Sequence, residues 1–440
     1  MNFSIDLDRY VSAAQNAPLR TARGRVQKVV GQLIEIEGVE ASIGSELVVE
    51  VPSGKLRVEA IGFRGEIVVA APLGSTAGIA PGARVHLGAK SAEFPMSDAL
   101  LGRVIDAFGR PLDGRPLSLA RHAVPLHAPP PPPFGRRAVD TPFETGVRAI
   151  DALLPLGRGQ RIGLFAGTGV GKSTLLGMMC KAARADVVVV GLIGERGREV
   201  GDFVRTALGP EGLARSVVVA ATGDAPPWVR VRGALAATSI AEHFRAQGLD
   251  VLLVMDSVTR FAMALREASL AAGEPPLTKG YTPSVFAALP SLLERAGRTD
   301  GEGSITAIYT VLVEGDDLQD PIADAVRGVL DGHIVLSRSI ADRGLYPAID
   351  VQKSISRLAF EIVPKTQMTW ANRVRDLLAA YDESIDLVRL GAYVPGSDPR
   401  VDKARAAMPE IEALVKQAHD EHIPRETSVA TLRAFAEKFG

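Results

Sequence analysis

With one cysteine, Cys180, in 440 residues, the chain can build neither an intrachain disulfide framework nor a cysteine-ligated zinc site. Cys180 lies among apolar residues at helical spacing and is read as a small buried hydrophobe. The seven histidines form no HExxH pair. His419 and His422, near the end of an expected C-terminal helix, are read as a solvated face rather than as metal ligands. An excess of one charge is also lacking. Against 51 Asp and Glu stand 50 Lys and Arg, a formal net charge of -1, so no global positive field advertises nucleic acid or an anionic membrane. No apolar run approaches the roughly 18 residues of a membrane span. The opening MNFSIDLDRYVSAAQ has no basic region before an apolar stretch, so the cytoplasm is the expected compartment. Aromatic residues are sparse. Between Arg23 and Leu87 only Phe63 could stack on a base, which argues against a surface for single-stranded nucleic acid.

What is present is a globular composition, 46% hydrophobic, in a chain long enough for about two to four domains. Phe3, Leu7, Tyr10 and Ala14 fall at helical spacing, giving either a small docking helix or a frayed terminus. From Arg23 to Leu87 short apolar segments alternate with glycine- and proline-marked turns, the pattern of a small closed β-barrel. A connector follows with five consecutive prolines, Pro129 to Pro133, read as a stiff polyproline strap. Next come continuous apolar runs at Arg161–Phe165, Val187–Ile193, Val217–Ala221, Val251–Met255 and Ile305–Val313. Runs of this kind belong to strands covered on both faces, hence a mostly parallel sheet between helices, with ligands at the strands' carboxyl ends. From about Thr366 the pattern is helical. The expected division is residues 1–22, 23–95, 96–365 and 366–440.

Within the first run of the sheet, Arg161 to Cys180 (RIGLFAGTGVGKSTLLGMMC) is laid out as strand, glycine loop and helix. Glycines let backbone N–H groups wrap a phosphate, and the following helix adds its positive end. Lys172 is placed to neutralise the outer phosphates and Ser173 to hold magnesium. Ala166 stands where GxxxxGK[ST] has its first glycine. A left-handed alanine there would cost on the order of 1 kcal/mol. Asp256, after the fourth run, suits either a water-mediated magnesium contact or a turn cap. Glu195, after the second, suits either activation of a water or a surface pair with an arginine, and spacing does not decide. Glu199 reads as structural. Arg357 cannot be placed locally and defaults to a surface residue.

The segments GLFAGTGVGKST, GLIGERGREV, DVLLVMDSVTRFAMALRE, GEPPLTKGYTPSVFAALPSLLERAG, VEGDDLQDPIADAVRGVLDGHIVLSR, GLYPAIDVQKSISR and GAYVPGSDPRVDKA, in this order, resemble the ATPases of bacterial type III protein export. The likeness is greatest to the flagellar branch, a relative of the rotary ATP synthase subunits. The resemblance implies a RecA-like P-loop ATPase core of α/β class, with an N-terminal β-barrel and a C-terminal helical domain. It implies a phosphate loop formed by Ala166, Gly167, Thr168, Gly169, Val170, Gly171, Lys172, Ser173 and Thr174. It assigns Glu195 as catalytic carboxylate, Asp256 as Walker B residue beside Ser173 for Mg2+, and Arg357 as an arginine finger reaching a neighbouring subunit. Arg196 and Arg260 match γ-phosphate contacts. Tyr346 matches the tyrosine stacking on adenine, its alternative being a loop tyrosine packed before Pro347. Glu195 and Arg357 in one chain imply a homohexamer with shared sites.

The implied partners are further copies of this chain, an export regulator or stator protein at the N-terminal segment, export chaperones and substrates, and a membrane export gate. Nucleic acid is not among them. The implied location is cytoplasmic, peripheral to the export apparatus at the inner membrane. A virulence-type secretion ATPase is the nearest alternative. A rotary synthase catalytic subunit is disfavoured because AGTGVGKS replaces that subunit's GGAGVGKT and no DELSEED-like acidic run follows. An RNA translocase lacks its aromatic surface here, and Glu195 argues against a non-catalytic ring subunit.

Overall fold

The computed structural model describes residues 23–117, 122–313 and 319–440. The expected N-terminal docking segment, residues 1–22, lies outside them. The chain divides after Ala92 into two compact units.

In the first unit, β1 (Arg23–Val30), β2 (Leu33–Glu37), β3 (Glu46–Val51), β4 (Gly54–Arg64), β5 (Ile67–Pro72) and β6 (Arg84–Ala89) close into a barrel in the order β1-β2-β5-β4-β3-β6. Alternation dictates its core. In β3, Leu47 and Val49 point inward to meet Ile34, Ile36, Val58 and Val85, whereas Glu50 points to solvent. Closure leaves no free sheet edge, as the turn-punctuated sequence implied.

The second unit is built on a nine-stranded sheet, counted among the described residues. Its principal strands are β7 (Arg103–Ile105), β8 (Arg161–Ala166), β9 (Val187–Ile193), β10 (Ser216–Ala221), β11 (Asp250–Asp256), β12 (Ser304–Leu312), β13 (Gly332–Leu336) and β14 (Ile349–Ser356). They lie in the order β14-β13-β8-β12-β11-β9-β10-β7, with short Gly297–Arg298 antiparallel beside β12. The five apolar runs become β8 to β12 within a residue or so of their sequence limits. Every residue of β9 is buried, which explains its unbroken valine content. Three helices that follow these strands matter most: α1 (Lys172–Ala182), α2 (Pro227–Ala246) and α3 (Val258–Ala271).

All pairings along this path are parallel except one. β14 runs antiparallel to β13, with Leu336 opposite Ile349 and Gly332 opposite Ser356. The residue before β14 therefore sits at the carboxyl edge of the sheet and the residue after it at the amino edge. The C-terminal region comprises α4 (Lys365–Arg389), α5 (Pro399–Val415) and α6 (Arg425–Phe439). Ala404, Ala407 and Ile411 of α5 pack into one core with Val374 and Leu377 of α4 and Leu432 of α6. Because α5 ends at Val415, His419 and His422 belong to the connection between helices, not to a helix end.

Candidate nucleotide site

The phosphate loop grows out of β8. Ala166 is its last residue, fully buried, and among the described residues only Lys279 is a non-glycine with positive φ. Alanine at the loop's first position is thus a strand residue and carries no left-handed strain. The turn is made later, at Gly169 (φ 80) and Gly171 (φ 89). A Cβ at Gly169 would meet nothing within 4 Å, so the loop faces open space there. Gly171 is the N-cap of α1 and supplies no side-chain cap, which leaves the first-turn N–H groups available to an anion. Arg338 braces the loop from behind, its Nη2 donating to Thr168 O at 3.0 Å. Nothing in the local sequence singled out Arg338.

Three side chains converge in front of this loop. Lys172 Nζ donates to Asp256 Oδ1 and lies 3.9 Å from Glu195 Oε1. The strand register explains the meeting, since Leu192 of β9 is level with Asp256 of β11 and Glu195 follows three residues later. Asp256 is only 3% exposed, and Thr310 Oγ1 donates to its Oδ1 at 2.7 Å. The Glu195 carboxyl is pushed up to about 7, first by burial and then by the negative charge of Asp256, with Lys172 and Arg260 opposing the rise. Gly194 (φ 72) turns the chain above Arg260, where a Cβ would come within 2.9 Å of the arginine side chain. Arg260 is set by the start of α3, where its N–H donates to the Ser257 hydroxyl at 3.2 Å, and its buried Nε has no hydrogen-bond partner among the described residues.

A cleft of about 300 Å³ opens beside these groups and is lined by Ser173, Thr174, Glu195 and Asp256. No group of three or more His, Cys, Asp or Glu gathers as metal ligands among the described residues. One hydroxyl and one carboxylate suit magnesium, which keeps several waters and takes its remaining ligands from phosphate. The donor set, the open loop and the uncapped helix end together fit a magnesium-bound nucleoside triphosphate.

Tyr346, 44% exposed, stands at the end of the loop preceding β14. Its ring atoms lie 3.4 Å from where a Cβ on Gly171 would be. Beside it is a second cleft of about 600 Å³, bounded by Met178 and by Lys416, Gln417, Ala418 and His419. Of these last residues the sequence drew attention only to His419, and as a solvated face rather than a cleft wall. They carry no motif and reach the site only because the α5–α6 connection folds back on the phosphate-loop helix.

Two expected site residues are not brought to Lys172 within the chain. Arg196 is 82% exposed and pairs with Glu199 at 3.5 Å. Arg357 follows β14 at the amino edge of the sheet, a strand length of roughly 16 Å from the edge bearing the loop. It is exposed, its Nη1 and Nη2 donating to Leu330 O and Arg327 O at 3.1 and 3.3 Å.

Comparison with known proteins gives the same layout. Residues 26–86 match the beta-barrel domain of the ATP synthase alpha/beta family, residues 146–356 its nucleotide-binding domain, and residues 363–434 the C-terminal domain of the T3SS EscN ATPase. The chain is 51% identical over 425 residues to the flagellum-specific ATP synthase of Pseudomonas aeruginosa, covering 96% of this chain and 94% of that protein. It is 49% identical over 412 residues to the type 3 secretion system ATPase of Sinorhizobium fredii, covering 93% and 91%. Its fold is similar to the assembled ATPase EscN of the enteropathogenic E. coli type III secretion system, with a TM-score of 0.89 at 43% identity, covering 94% of this chain and 100% of that one.

Proposed function

Because the chain belongs to the ATP synthase alpha/beta family, in the group of flagellum-specific ATP synthases and type 3 secretion system ATPases, we propose that it hydrolyses ATP in a ring of six identical subunits and thereby energises export of flagellar proteins. The convergence of Lys172, Glu195 and Asp256 before an uncapped helix end carries this reading.

The loop amides and Lys172 bind the β- and γ-phosphates of ATP, while Tyr346 stacks on the base. Ser173 Oγ and, through water, Asp256 would hold magnesium, which would supply charge neutralisation to the phosphate oxygens. The Glu195 carboxylate accepts a proton from the attacking water as its oxygen bonds to the γ-phosphorus and the bond to ADP breaks. Arg260, whose buried Nε lacks a hydrogen-bond partner among the described residues, contacts the γ-phosphate in this reading. Arg357 of a neighbouring copy meets the charge that develops there.

In this reading the chain acts on chaperone-bound substrates at a membrane export gate, works from the cytoplasmic side and docks a regulator through residues 1–22. No helix among the described residues is long and apolar enough to cross a membrane. The test is deletion in the source organism, scored for motility and secreted proteins. Loss of flagella and of their secreted subunits is expected; retained motility and secretion would refute the proposal, and loss of virulence-type secretion alone would move it to the other branch of the group.

A further inference from the structure

One buried side chain ties the wall beside Tyr346 to several distant segments at once. Gln417 is 4% exposed, uncommon for glutamine, in a connection that is otherwise mostly solvent-exposed. Its backbone N–H donates to Tyr346 O at 2.9 Å. Its Oε1 accepts from Arg148 N at 2.8 Å, and its Nε2 donates to Gly146 O at 2.9 Å and to Glu421 O at 3.0 Å. Arg148 returns the contact, its Nη2 donating to Lys416 O at 2.7 Å.

Gly146 is itself pressed against the phosphate-loop helix. It has φ 74, and a Cβ there would fall 2.3 Å from the Cβ of Ala182, the last residue of α1. Through Gln417, then, the turn at residues 418–421, the main chain of Tyr346 and the segment wedged under α1 share one anchor. Both amide hydrogens and one oxygen lone pair of Gln417 are already engaged, so its side chain is not free to read a base. What it does is fix where the wall stands.

We propose that Gln417 is the positioning residue of the nucleoside half of the cleft. It sets affinity for the base and ribose while leaving phosphate binding and hydrolysis to the loop and Glu195. This rests on the nucleotide-site reading above. An unsatisfied or displaced wall weakens only what packs against it, because the phosphate loop has its own supports in β8, Gly169, Gly171 and Arg338.

The experiment uses the full chain with Gln417→Met, which keeps the volume and removes the side-chain bonds. KM for ATP should rise about tenfold, the loss expected from a few buried hydrogen bonds, with kcat changed less than about twofold. Inorganic tripolyphosphate with magnesium, a probe with no base or ribose, should inhibit competitively with unchanged Ki. An unchanged KM overturns the proposal, and so does equal weakening of ATP and tripolyphosphate, which would make Gln417 a general structural support. Should that variant lack a cooperative melt, Gln417→Glu, which retains the acceptor for Arg148 and loses both donors, is judged by the same criteria. Absence of hydrolysis in the unaltered chain would instead count against the proposed function. The wall is then tested by calorimetry, comparing ADP with inorganic pyrophosphate in chain and variant.

Discussion

The two ends of β14 lie close in sequence but at opposite edges of the sheet. At the carboxyl edge, Tyr346 joins Lys172, Glu195 and Asp256, a partly buried cation between two carboxylates with clefts on either side. At the amino edge, Arg357 is exposed and donates to the carbonyls of Leu330 and Arg327, and among the described residues no carboxylate pairs with it. In the proposed reading the first arrangement holds the triphosphate and activates the water, while Arg357 of the same chain lies at the other edge of the sheet. A single chain therefore carries both parts of the proposed site and keeps them apart. Like copies around a ring would reunite them.

The strongest way to break this contrast is to disable each edge separately. Glu195→Gln and Arg357→Ala chains should each lose about a thousandfold or more in steady-state ATP hydrolysis. Mixed after subunit exchange, they should recover activity, with roughly a quarter of interfaces intact under random assembly. Activity that stays absent in the mixture would refute sharing between copies.

The next effect concerns pH. A carboxyl whose pKa is raised to about 7 is increasingly protonated, and so lost as a base, below that value. kcat/KM should then fall toward a slope of about tenfold per pH unit on the acid side. Glu195→Gln should abolish that dependence in whatever activity remains.

The same shift acts on stability with a definite sign. The folded-state pKa of Glu195 lies above its ordinary 4.5, so its contribution is fully present below that ordinary value and is lost as pH rises through about 7. Without nucleotide, Glu195→Gln should melt at a higher temperature than the unaltered chain near about pH 8, and the two should converge near about pH 5. A gap that is equal at both values would show that the glutamate is not held near neutrality. The smallest effect on hydrolysis is expected from deleting Met1 to Ala14. ATP turnover should be unchanged while capture of the export regulator in a pull-down weakens, and unaltered capture would remove the docking-helix idea.

The central expectations succeeded where the signal was local. The fully apolar runs became buried parallel strands because a strand covered on both faces admits no polar alternation, and the polar residues ending two of them, Glu195 and Asp256, met at one edge. The barrel followed from alternation and turn residues in the same way. Ala166 looked like a flaw in the phosphate loop, yet it is an ordinary strand residue because the left-handed turns fall at Gly169 and Gly171. The orientation of Arg196 toward solvent had no sequence signal, since one arginine beside a glutamate fits a surface pair as well as a ligand contact.

By itself, then, the sequence determined a phosphate loop on a buried parallel sheet, a barrel before it and helices after it, because each rests on short-range periodicity and glycine chemistry. Only the tertiary structure decided which edge each remaining residue occupies. The antiparallel turn of β14 against β13 sent Tyr346 to the loop and Arg357 away from it. The return of the α5–α6 connection brought Gln417 to Gly146 and Arg148. Such placements depend on strand direction and on hydrogen bonds between distant segments, which no local pattern records.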